Sequence, residues 1–580
     1  MAVIKKMKAS DYIVDFLNRK GVTCVFELSG GMIAHLLDSF GRSQPIKVVS
    51  MHHEQGAAFA AEAYGRMTGV PGVALATSGP GATNLLTGIG SCHFDSSPAV
   101  FITGQVNRHE QKGDRPVRQL GFQETNIVSM AMPITKAAWK IQSPESIPQM
   151  FEAAFALATA GRPGPVLLDV PMDVQRAEIS PKLETEVGQR PVSSGPDASF
   201  WNRLEAQLRA AKRPLILVGG GVRSGLATES LREFVAQARL PVVHSLMGVD
   251  VLPFDHPLRV GMIGSYGNRW ANWAVGTADF LLVLGSRLDV RQTGSETKAF
   301  KGERAIFHVD CDPGEINNRI LGCDSAVCQL QDFLTAAIKW LVEFKPAFYP
   351  EWLSQLAAKR LAWPDVNECT GVSGINPNTF MHALSQASAR ACAYVVDVGQ
   401  HQMWAAQSLE LTTKQRFLTS GGMGSMGFAL PAAVGAAFAC PQQPVVVIAG
   451  DGAFQCNIQE LQTVKRNELP LKIVIINNHC HGMVRQFQES YFDSRFQSTV
   501  WGYSAPDFVK VAEAYGIPGR RVAQPAEVAE ALCWLWADPL APQLLEVDIT
   551  STINVYPKMA FGRPITEMEP FCKPKEMEGT

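Results

Sequence analysis

Two polar positions in the last third of the chain have the residue types and spacing of a metal site. Asp451 stands in the run Gly-Asp-Gly at 450–452, and Asn478 is the second of two adjacent asparagines. Between them the sequence predicts a glycine turn, a helix over 457–466 and an apolar strand over 471–476. Both positions would then lie at the carboxyl ends of neighbouring parallel strands, where open α/β sheets bind ligands. A carboxylate and an amide oxygen, completed by backbone and phosphate oxygens, suit Mg²⁺ and predict a metal–diphosphate site.

The combination of Asp451 and Asn478 resembles the cofactor signature of thiamine diphosphate enzymes. A Gly-Asp-Gly run by itself is more often a simple turn. The alternative is an ordinary nucleotide-binding crossover with an acidic turn, but it leaves the polar positions described next unexplained. We therefore expect a thiamine diphosphate site that is anchored through Mg²⁺.

Glu54 is the first candidate for a catalytic group. It follows an apolar segment and precedes a run rich in alanine, so we expect its carboxyl group in apolar surroundings at a helix start. Thiamine chemistry needs a carboxyl group that is hydrogen-bonded to a ring nitrogen of the pyrimidine. This hydrogen bond favours the imino form, whose exocyclic nitrogen removes the C2 proton of the thiazolium ring. A glutamate that only stabilises a helix N-terminus is the plainer alternative.

Three glycine-containing loops carry further groups for the cofactor. The loop Ser-Gly-Pro-Gly-Ala-Thr-Asn at 78–84 has flexible backbone that can approach a ligand closely. Residues 397–401 end a strand and offer donors to diphosphate oxygens. Met426 could hold the two rings of thiamine in a bent form, although a methionine there is also common in plain cores. A structural turn and a solvated histidine are the plainer interpretations of the first two loops.

Composition argues against several other classes of protein. With 580 residues, 46% of them hydrophobic, the chain can bury several domain cores. A net charge of −2 argues against nucleic acid and anionic membranes as partners, and no apolar run has the length of a membrane span. The N-terminus lacks an apolar signal core, and the twelve cysteines form no C-x-x-C pair. We therefore expect a cytoplasmic protein with reduced thiols.

Short apolar strands alternate with helical segments along most of the chain. This alternation predicts an α/β fold of three stacked, doubly wound parallel-sheet domains that share one architecture. A polar stretch at 180–199 and a stretch rich in Pro and Trp at 348–374 are interpreted as the connections between them. The predicted bounds of the three domains and of a C-terminal lid or tail are 1–180, 195–345, 375–555 and 556–580.

Four motifs make the chain resemble the acetolactate (acetohydroxyacid) synthase catalytic subunit, over residues 10–565. The motifs are Ser-Gly-Pro-Gly-Ala-Thr-Asn at 78–84, Gly-Phe-Gln-Glu at 121–124, Val-Gly-Gln-His-Gln-Met-Trp-Ala-Ala-Gln at 398–407 and Gly-Met-Val-Arg-Gln-Phe-Gln at 482–488. The resemblance implies that the three domains bind, in chain order, the pyrimidine, a flavin, and the diphosphate with its Mg²⁺. It also implies that the central domain is Rossmann-like.

The resemblance also implies a set of site residues. The catalytic residues are Glu54, Gln123 and Arg291. The Mg²⁺ ligands are Asp451, Asn478 and the backbone carbonyl of Cys480. The residues that contact thiamine diphosphate are Asn84, Gly399, Gln400, His401, Met426, Gly452, Ala453 and Met483. The residues of the substrate pocket are Gly31, Phe122, Lys136 and Phe487.

FAD is implied in the central domain, where its role is largely structural because the reaction needs no net redox change. The matching residues are Arg162, Gly219, Gly220, Gly221, Leu246, Met247, Arg287, Asp289, Arg291 and Asp310. The arginines strengthen this assignment, since guanidinium groups bind pyrophosphate well. Further implied partners are small 2-keto acids, a small regulatory subunit and a second copy of the chain. In the family's homodimers and homotetramers, the active site forms where the first domain of one subunit faces the third domain of another.

The chain departs from the family pattern around the acceptor substrate. Phe487 stands where the family has tryptophan, so the pocket keeps an apolar face but loses the indole N–H and some volume. Val290 replaces an aspartate before Arg291, which in the family holds the carboxylate of the acceptor. His-Cys-His at 479–481 replaces an acidic pair and leaves a Zn²⁺ site as a remote alternative. The remaining departures are Ser29, Gly-Ser-Tyr-Gly at 264–267 and Gln-Leu at 329–330.

Three functions are compatible with these residues. The first is the transferase reaction of an acetolactate synthase, which decarboxylates pyruvate and joins the two-carbon unit to a second 2-keto acid. The second keeps pyruvate as donor but uses a keto sugar or another ketone or aldehyde as acceptor, with a 2-keto acid decarboxylase or oxidase as a variant. The third is a non-catalytic member that binds the cofactor or a partner subunit. The retained Glu54, Asp451 and Asn478 argue against the third, and the sequence favours the first.

Overall fold

The computed structural model of the chain describes residues 6–42, 45–180, 195–369 and 371–575. Within them the chain forms three six-stranded parallel sheets and two short antiparallel pairs of strands. The predicted α/β fold of doubly wound parallel sheets is therefore confirmed. Most of the polar stretch predicted as a connection, residues 181–194, lies outside the described residues. No helix among the described residues combines the length and the apolar character that a bilayer crossing requires.

The first sheet is built from the N-terminal third of the chain. Its strands, β1 to β6 in chain order, are Cys24–Leu28, Lys47–Ser50, Gly72–Ala76, Ala99–Gln105, Ala137–Lys140 and Pro165–Pro171. The helices of this region are Ala9–Arg19, Ala34–Arg42, Glu54–Thr68, Pro80–Asn84, Leu86–Asp95, Ile127–Ala131, Ile147–Thr159 and Met172–Arg176. Strands β3, β4 and β6 are buried along their whole length, as expected of a parallel sheet that is covered on both faces.

The central sheet follows. Its strands, β7 to β12, are Pro214–Val218, Val242–His244, Arg259–Met262, Phe280–Leu284, Ala305–Asp310 and Asp324–Val327. The helices of this region are Ala198–Ala210, Gly221–Ser224, Thr228–Ala238, Arg269–Thr277, Val290–Thr293, Thr297–Lys301, Leu330–Glu343 and Pro350–Ala362.

The third sheet uses the strands β13 to β18, which are Ala393–Val396, Arg416–Leu418, Val445–Gly450, Leu471–Asn477, Gly519–Val522 and Gln543–Asp548. The helices of this part of the chain are Pro377–Ala387, Gln400–Ser408, Ala429–Ala439, Asp451–Gln455, Leu461–Arg466, Gly482–Tyr491, Phe508–Ala514 and Val528–Leu535. The strands β15 and β16 are fully buried, so the loops that follow them start from a rigid frame.

Strand order distinguishes the central sheet from the other two. The orders are β2-β1-β3-β4-β6-β5, then β9-β8-β7-β10-β11-β12, then β14-β13-β15-β16-β18-β17. The first and third sheets therefore repeat one winding, and the central sheet has the order typical of dinucleotide-binding domains. The expectation of three doubly wound parallel sheets is therefore confirmed, and the order of the strands agrees with the expected Rossmann-like central domain.

The described residues form two compact units that do not follow the chain continuously. One unit comprises Met1–Pro191 together with Ser420–Gln443 and Cys456–Leu471. The other comprises Val192–Thr419, Pro444–Gln455 and Lys472–Thr580. In the first unit, the helix Ala429–Ala439 packs against the helix Glu54–Thr68, and Gly435 has no room for a side chain because a Cβ would lie 2.0 Å from the Ala60 carbonyl oxygen.

Two local predictions around the metal motif are wrong. The Gly-Asp-Gly run at 450–452 is not an open turn, because the helix Asp451–Gln455 begins inside it. The helix predicted over 457–466 is also interrupted, and only Leu461–Arg466 is α-helical after a 3₁₀ turn at Ile458–Glu460. Asn457 has a non-helical φ of −137° and donates its side-chain amide to the Gly427 carbonyl oxygen at 2.8 Å, which breaks the helix there.

The stretch 348–374, predicted to be a connection, contains the helix Pro350–Ala362. Proline occupies the first helical turn, where it is favoured because its missing N–H would be unused. Trp352 and Leu356, one turn apart, are buried in the core of the central sheet. Local Pro and Trp content therefore obscured a short amphipathic helix.

The C-terminal segment was predicted to be a lid or tail. Its described residues, 556–575, pack against the central sheet within the second unit. Its strands Lys558–Met559 and Met568–Glu569 pair with each other, and Ile565 joins the central core. Lys558 and Glu569 form a buried ion pair at 3.0 Å, and Arg269 donates to the Glu569 carbonyl oxygen at 3.0 Å. Its role as a lid stays a prediction.

A histidine held between two carboxylates should make the stability of the second unit depend on pH. His382 Nε2 lies 2.9 Å from Asp365 Oδ2, and its Nδ1 lies 2.8 Å from Glu410 Oε1. Burial alone would lower the pKa of His382, but the hydrogen bonds and charges of the two carboxylates outweigh it and raise the pKa above its usual value. The charged ring therefore stabilises the fold fully below the unfolded pKa of about 6.5. This stabilisation is lost as pH rises through the folded-state pKa.

We expect the substitution His382→Gln to lower the apparent Tm by about 2–4 °C at pH 5.5, and by clearly less at pH 8.5. Thermal scans of wild type and variant at both pH values measure the difference. The matched control is His256→Gln, because burial lowers the pKa of His256, so its loss cannot cost more stability at acid pH. An equal Tm loss at both pH values for His382→Gln would contradict the charged bridge.

Candidate active site

Three loops of the third sheet meet at the carboxyl ends of β13, β15 and β16. Gln400 follows β13, Asp451 follows β15 and Asn478 follows β16. The winding of this sheet changes direction between the neighbours β13 and β15, and such a switch point is where open α/β sheets bind ligands. The structure therefore brings together the polar positions that the spacing predicted.

Three oxygen atoms converge where the metal ion was predicted. Asn478 Oδ1 lies 3.1 Å from Asp451 Oδ1 and 2.8 Å from the backbone oxygen of Cys480. The other side of the same amide, Nδ2, donates to Gln400 Oε1 at 2.8 Å. Without a cation, turning the Asn478 amide would give better hydrogen bonds to Asp451 and Cys480, but it would set the amide oxygen against Gln400 Oε1. Oxygens this close to the Asn478 oxygen are unfavourable alone and become favourable around a hard cation, so the donor set fits Mg²⁺.

Asp451 is buried, and its second carboxylate oxygen has a partner that the sequence did not indicate. Burial raises the pKa of Asp451, while a hydrogen bond from Tyr503 lowers it. The Tyr503 hydroxyl donates to Asp451 Oδ2 at 2.8 Å. Tyr503 lies in an irregular loop far along the chain, where no pattern of spacing or periodicity marks it. Burying a charged carboxylate costs free energy unless it is paired, and a bound cation would offset that cost for Asp451.

His401 is buried against the glycines of two of these loops. A Cβ on Gly399 would lie 2.6 Å from His401 Cε1, and a Cβ on Gly450 would lie 2.8 Å from its Nδ1. Burial lowers the pKa of His401 to about 3, so the ring is neutral. Among the described residues its Nε2 has no hydrogen-bond partner. This nitrogen is buried and lies near the N-terminus of the helix Gln400–Ser408. A phosphate oxygen would be a suitable hydrogen-bond partner for it.

The other residues predicted for the diphosphate and thiazolium surround the same loops. A Cβ on Gly452 would lie 2.7 Å from His481 Cε1, and Ala453 is buried one residue later. Gly482 leaves room for Gln400, whose Oε1 would lie 2.1 Å from a Cβ at that position. Met483 is partly buried and packs against the core of the third sheet.

The three residues His479, Cys480 and His481 do not form a zinc site. His479 Nε2 contacts Asp548 at 2.9 Å, and the His481 ring packs edge-on to Tyr503 with centroids 4.5 Å apart. The Cys480 thiol is directed to the Ser551 carbonyl oxygen. Among the described residues, no cluster of three or more His, Cys, Asp or Glu side chains could hold a metal ion.

Glu54 belongs to the first compact unit, where it is the first residue of the helix Glu54–Thr68. Its side chain is buried, and Asn84 Nδ2 donates to Glu54 Oε2 at 3.0 Å. A Cβ on Gly81 would lie 3.1 Å from Glu54 Oε1, so the loop at 78–84 wraps closely around the carboxyl group. The structure thus joins two predicted elements, the acidic group and the Ser-Gly-Pro-Gly loop, and the catalytic role of Glu54 stays a prediction.

Gln123 lies against the same loop, in the first unit. It has a left-handed φ of 63°, and a Cβ on Gly79 would lie 2.9 Å from Gln123 Cβ. Its neighbour Phe122 is 78% exposed, which is unusual for a large apolar side chain. Gly31 has open space where a side chain would be.

The Lys136 side chain is hydrogen-bonded to backbone carbonyl groups. Its Nζ donates to the carbonyl oxygens of Ala160 and Arg162, at 2.5 and 2.8 Å. A lysine held in this way fixes the turn at 160–162, and this contact gives it a structural task beside its predicted place near the substrate.

Met426 lies in a glycine loop that the end of another helix holds in place. The backbone N–H groups of Gly421 and Gly422 donate to the two carboxylate oxygens of Asp95, at 3.0 and 2.6 Å. The Met426 side chain is 37% exposed on the first unit. The sequence pointed to Met426 but not to Asp95, because an Asp at a helix end is usually only a turn residue.

The residues predicted for a flavin gather at the carboxyl ends of β7, β10 and β11. Gly219 and Gly221 pack against the loop after β10, where a Cβ on Gly219 would lie 2.1 Å from the Gly285 carbonyl oxygen. A Cβ on Gly220 would meet the Met247 side chain at 3.0 Å, so Met247 lies against this turn, whereas Leu246 packs against the core of the third sheet. Asp310 ends β11 and is buried. In a sheet of dinucleotide-binding order, this grouping at the switch point fits a nucleotide.

Two arginines of the predicted flavin set, Arg287 and Arg291, contact Asp289. Arg287 Nη2 lies 3.2 Å from Asp289 Oδ2, and Asp289 caps the helix Val290–Thr293 by accepting from the Arg291 N–H at 2.9 Å. The Arg291 side chain is exposed. Arg162 belongs to the first unit, where its Nε donates to Ser96 Oγ at 2.8 Å.

The Phe487 ring packs on Tyr491, and Tyr491 is also contacted by a lysine of the C-terminal strands. The Phe487 ring, 39% exposed, lies 4.8 Å from the Tyr491 ring, and Lys558 Nζ lies 5.4 Å from the centroid of Tyr491. Met559 N donates to the Ser265 carbonyl oxygen at 2.8 Å, and Ser265 N donates to the Arg291 carbonyl oxygen at 2.6 Å. The C-terminal strands therefore contact Tyr491, whose ring packs on Phe487, and they reach the backbone of Arg291 through Ser265.

Comparison with known protein families identifies the chain in agreement with this geometry. Residues 7–130 match the N-terminal TPP binding domain of thiamine pyrophosphate enzymes, 202–337 match their central domain, and 397–540 match their C-terminal TPP binding domain. The matches define the class of protein, an enzyme with the two domains that bind thiamine diphosphate.

Relatives along the whole chain narrow the class. The chain is 38% identical to "Acetolactate synthase isozyme 2 large subunit" of Escherichia coli (strain K12), over 97% of this chain and 99% of the relative. It is 37% identical to "Acetolactate synthase 2, chloroplastic" of Nicotiana tabacum, over 96% and 84%. It is also 37% identical to "Probable acetolactate synthase large subunit" of Methanocaldococcus jannaschii, over 91% and 89%. The chain belongs to the acetolactate synthase large subunit family, so the resemblance found in the sequence is confirmed.

Proposed function

We propose that this enzyme decarboxylates pyruvate and transfers the two-carbon unit to a second 2-keto acid, so that pyruvate as acceptor gives 2-acetolactate. The observation that carries the proposal is the similarity to acetolactate synthases along nearly the full chain. The retained Glu54–Asn84 pair and the oxygen cluster at Asp451 support an active enzyme rather than a binding protein.

Mg²⁺ and thiamine diphosphate are the proposed cofactors. The ion would be held by Asp451, Asn478 and the Cys480 carbonyl oxygen, and the neutral His401 ring would meet a diphosphate oxygen. When bound, thiamine diphosphate supplies the carbon that attacks the keto group and takes up the electrons released with CO₂. All three protein oxygens stand ready at fixed strand ends, which lowers the entropy cost of ordering them around the ion.

Glu54 would hold and move the proton that activates the cofactor. Asn84 fixes Oε2 by donating a hydrogen bond, which leaves Oε1 to share a proton with a ring nitrogen of the pyrimidine. Burial of the side chain excludes competing water from that proton. Gln123, Arg291 and the pocket residues Gly31, Phe122, Lys136 and Phe487 are proposed to orient the two keto acids.

A different acceptor is the second candidate, and Phe487 and Val290 favour it. Phenylalanine is smaller than the tryptophan expected at 487, and the Val290 side chain is 54% exposed where a carboxylate was expected. Both changes open and neutralise the acceptor side of the pocket, which would admit a larger or less acidic ketone.

The activity test uses the full chain with pyruvate, Mg²⁺ and thiamine diphosphate. Acid treatment converts acetolactate to acetoin, which is measured by colour, and CO₂ is measured separately. Acetoin in step with CO₂ supports acetolactate synthesis. CO₂ that couples only to an added keto sugar or aldehyde, identified by mass spectrometry, would support the second candidate. No CO₂ at all would refute both.

FAD, a second copy of the chain and a smaller subunit are proposed as further partners. The dinucleotide-type order of the central sheet supports FAD, and a yellow, acid-extractable chromophore in the purified protein would test it. Exposed apolar side chains of the first unit, Phe122, Met132 and Met423 among them, support burial against another copy, as a homodimer or homotetramer. The relatives' name, large subunit, supports a smaller regulatory partner. A location in the reducing cytoplasm is proposed from the sequence pattern, since the twelve cysteines form no C-x-x-C pair.

A further inference from the structure

The turn that precedes Glu54 is held by a segment that lies far later in the chain. Within the first unit, the Arg466 guanidinium donates to the Ser50 carbonyl oxygen. Glu460 Oε1 accepts from the His52 N–H at 2.9 Å, and Asn457 Nδ2 donates to Gln55 Oε1 at 2.9 Å. One short segment, Cys456–Leu471, thus contacts the backbone or side chains on both sides of Glu54.

Glu460 is the centre of this contact. Its side chain is completely buried, and its second oxygen accepts from Thr463 Oγ1 at 2.6 Å. Burial raises the pKa of Glu460, while the hydrogen bonds from Thr463 and from the backbone of His52 and His53 lower it. A buried carboxylate with donors on both oxygens is held in one geometry, because any rotation would leave a polar atom unpaired.

The helix of Glu54 is shaped to receive this carboxylate. A Cβ on Gly56 would lie 2.8 Å from Glu460 Oε1, so a larger residue in the first helical turn would push Glu460 away. The helix start is further defined by His53, whose Nδ1 accepts from the Gln55 N–H at 3.0 Å. One turn later Phe59 packs edge-on against Phe428, with ring centroids 5.3 Å apart. Named contacts therefore anchor the backbone on both sides of Glu54.

We propose that Glu460 is a positioning residue, which fixes the backbone at residues 52–56 so that the Glu54 carboxyl group meets the cofactor pyrimidine in one orientation. The proposal rests on the proposed function of Glu54. Proton transfer depends steeply on placement, and a shift of about 1 Å in a reacting group can cost a factor of about 100 in rate. Glu460 touches neither cofactor nor substrate in this scheme, and it acts only through the Glu54 turn.

The test measures activation of the cofactor directly, as the rate at which bound thiamine diphosphate exchanges its reactive C2 proton for deuterium. The holoenzyme is mixed with D₂O, quenched in acid, and the remaining proton signal of the cofactor is read by NMR. We expect Glu460→Ala to lower this rate by about 10- to 100-fold, in line with a misplaced proton-transfer group. Glu460→Gln keeps an acceptor for His52 and should restore most of the rate, with the KM for pyruvate close to wild type in both.

A matched control separates positioning from general stability. Asp169 is also completely buried in the first unit and accepts from Thr103 and Gln105 at 2.8 and 3.1 Å. Asp169→Asn should lower the apparent Tm without changing the exchange rate. If Glu460→Ala does not fold, Thr463→Val removes one hydrogen bond from Glu460, and a slower exchange with an unchanged Tm is then expected.

The outcomes distinguish this proposal from the proposed function. Wild-type exchange no faster than that of free cofactor, or unaffected by Glu54→Gln, would overturn the function assigned to Glu54. Fast wild-type exchange that depends on Glu54 but is equally fast in Glu460→Ala, or in Thr463→Val where only that variant folds, would overturn the positioning role alone. Equal slowing in the Asp169→Asn control would also overturn it, because any buried carboxylate would then have the same effect.

Discussion

Glu54→Gln is expected to lower the rate of CO₂ release from pyruvate by about 100- to 10,000-fold, the usual contribution of a positioned proton-transfer group. The glutamine side chain has nearly the same shape, so the buried position and the contact with Asn84 are retained. What the substitution removes is the carboxyl group that we propose exchanges a proton with the cofactor pyrimidine. Because Glu54 does not contribute to the predicted metal site, the affinity for thiamine diphosphate should change far less than the rate.

For Glu54→Gln, the rate of CO₂ release is measured, and the affinity for thiamine diphosphate is measured by calorimetry. The matched control is Glu62→Gln in the same helix, where burial raises the pKa of the carboxyl group to about 7. Glu62 contacts Ser97 and Arg66 rather than the loop at 78–84, so its loss should leave CO₂ release near the wild-type rate. Release from Glu54→Gln at the wild-type rate would show that another group activates the cofactor.

Asp451→Asn is expected to weaken the Mg²⁺-dependent binding of thiamine diphosphate by about 100-fold or more, since it removes the only charged member of the oxygen cluster. Loss of a residue that only hydrogen-bonds to a metal ligand already lowers metal affinity by about 10- to 100-fold. The same change should leave the cofactor-free protein as stable as wild type or more stable. The reason is that burial raises the pKa of Asp451, and the amide introduced by the substitution could donate to Asn478 Oδ1. Function and stability would therefore move in opposite directions, as is common at binding sites.

Thermal scans with EDTA, and then with Mg²⁺ and thiamine diphosphate, test both halves of the Asp451 prediction. Wild type should gain Tm when the cofactors are added, because they bind only the folded state, and Asp451→Asn should gain little. Tyr503→Phe is the matched variant, since it removes the hydroxyl that donates to Asp451 Oδ2, and it should weaken binding by about 10-fold. A cofactor-induced Tm gain in Asp451→Asn equal to that of wild type would rule out Asp451 as a metal ligand.

The sequence sufficed for features that arise from local order along the chain. Asp451 and Asn478 were predictable because each follows a buried strand, and parallel strands place their carboxyl ends at one edge of a sheet. Glu54 and the loop at 78–84 come together because their strands, Lys47–Ser50 and Gly72–Ala76, flank Cys24–Leu28 in one parallel sheet. The strand predicted over 471–476 was found at Leu471–Asn477, because a continuous apolar run leaves few alternatives.

Other features depend on contacts between distant segments, which no local pattern encodes. Tyr503 reaches Asp451 from an irregular loop. Nothing in the local sequence distinguishes Glu460 from a glutamate on a helix surface. It is buried because its segment packs on the turn before Glu54. The order of strands in the central sheet is likewise a property of how loops cross, since all three sheets alternate strands and helices in the same way.

The interleaving of the two compact units has a consequence for how the chain folds during synthesis. The N-terminal unit contains residues up to Leu471, so the helix bearing Glu54 cannot gain its final neighbours until most of the polypeptide has left the ribosome. A fragment ending near residue 419 would expose the face of that helix which Ala429–Ala439 normally covers. Contacts of such long sequence separation slow folding and leave apolar surface open to aggregation in the meantime. Nascent chains of this protein should therefore depend on chaperones until the last third has emerged.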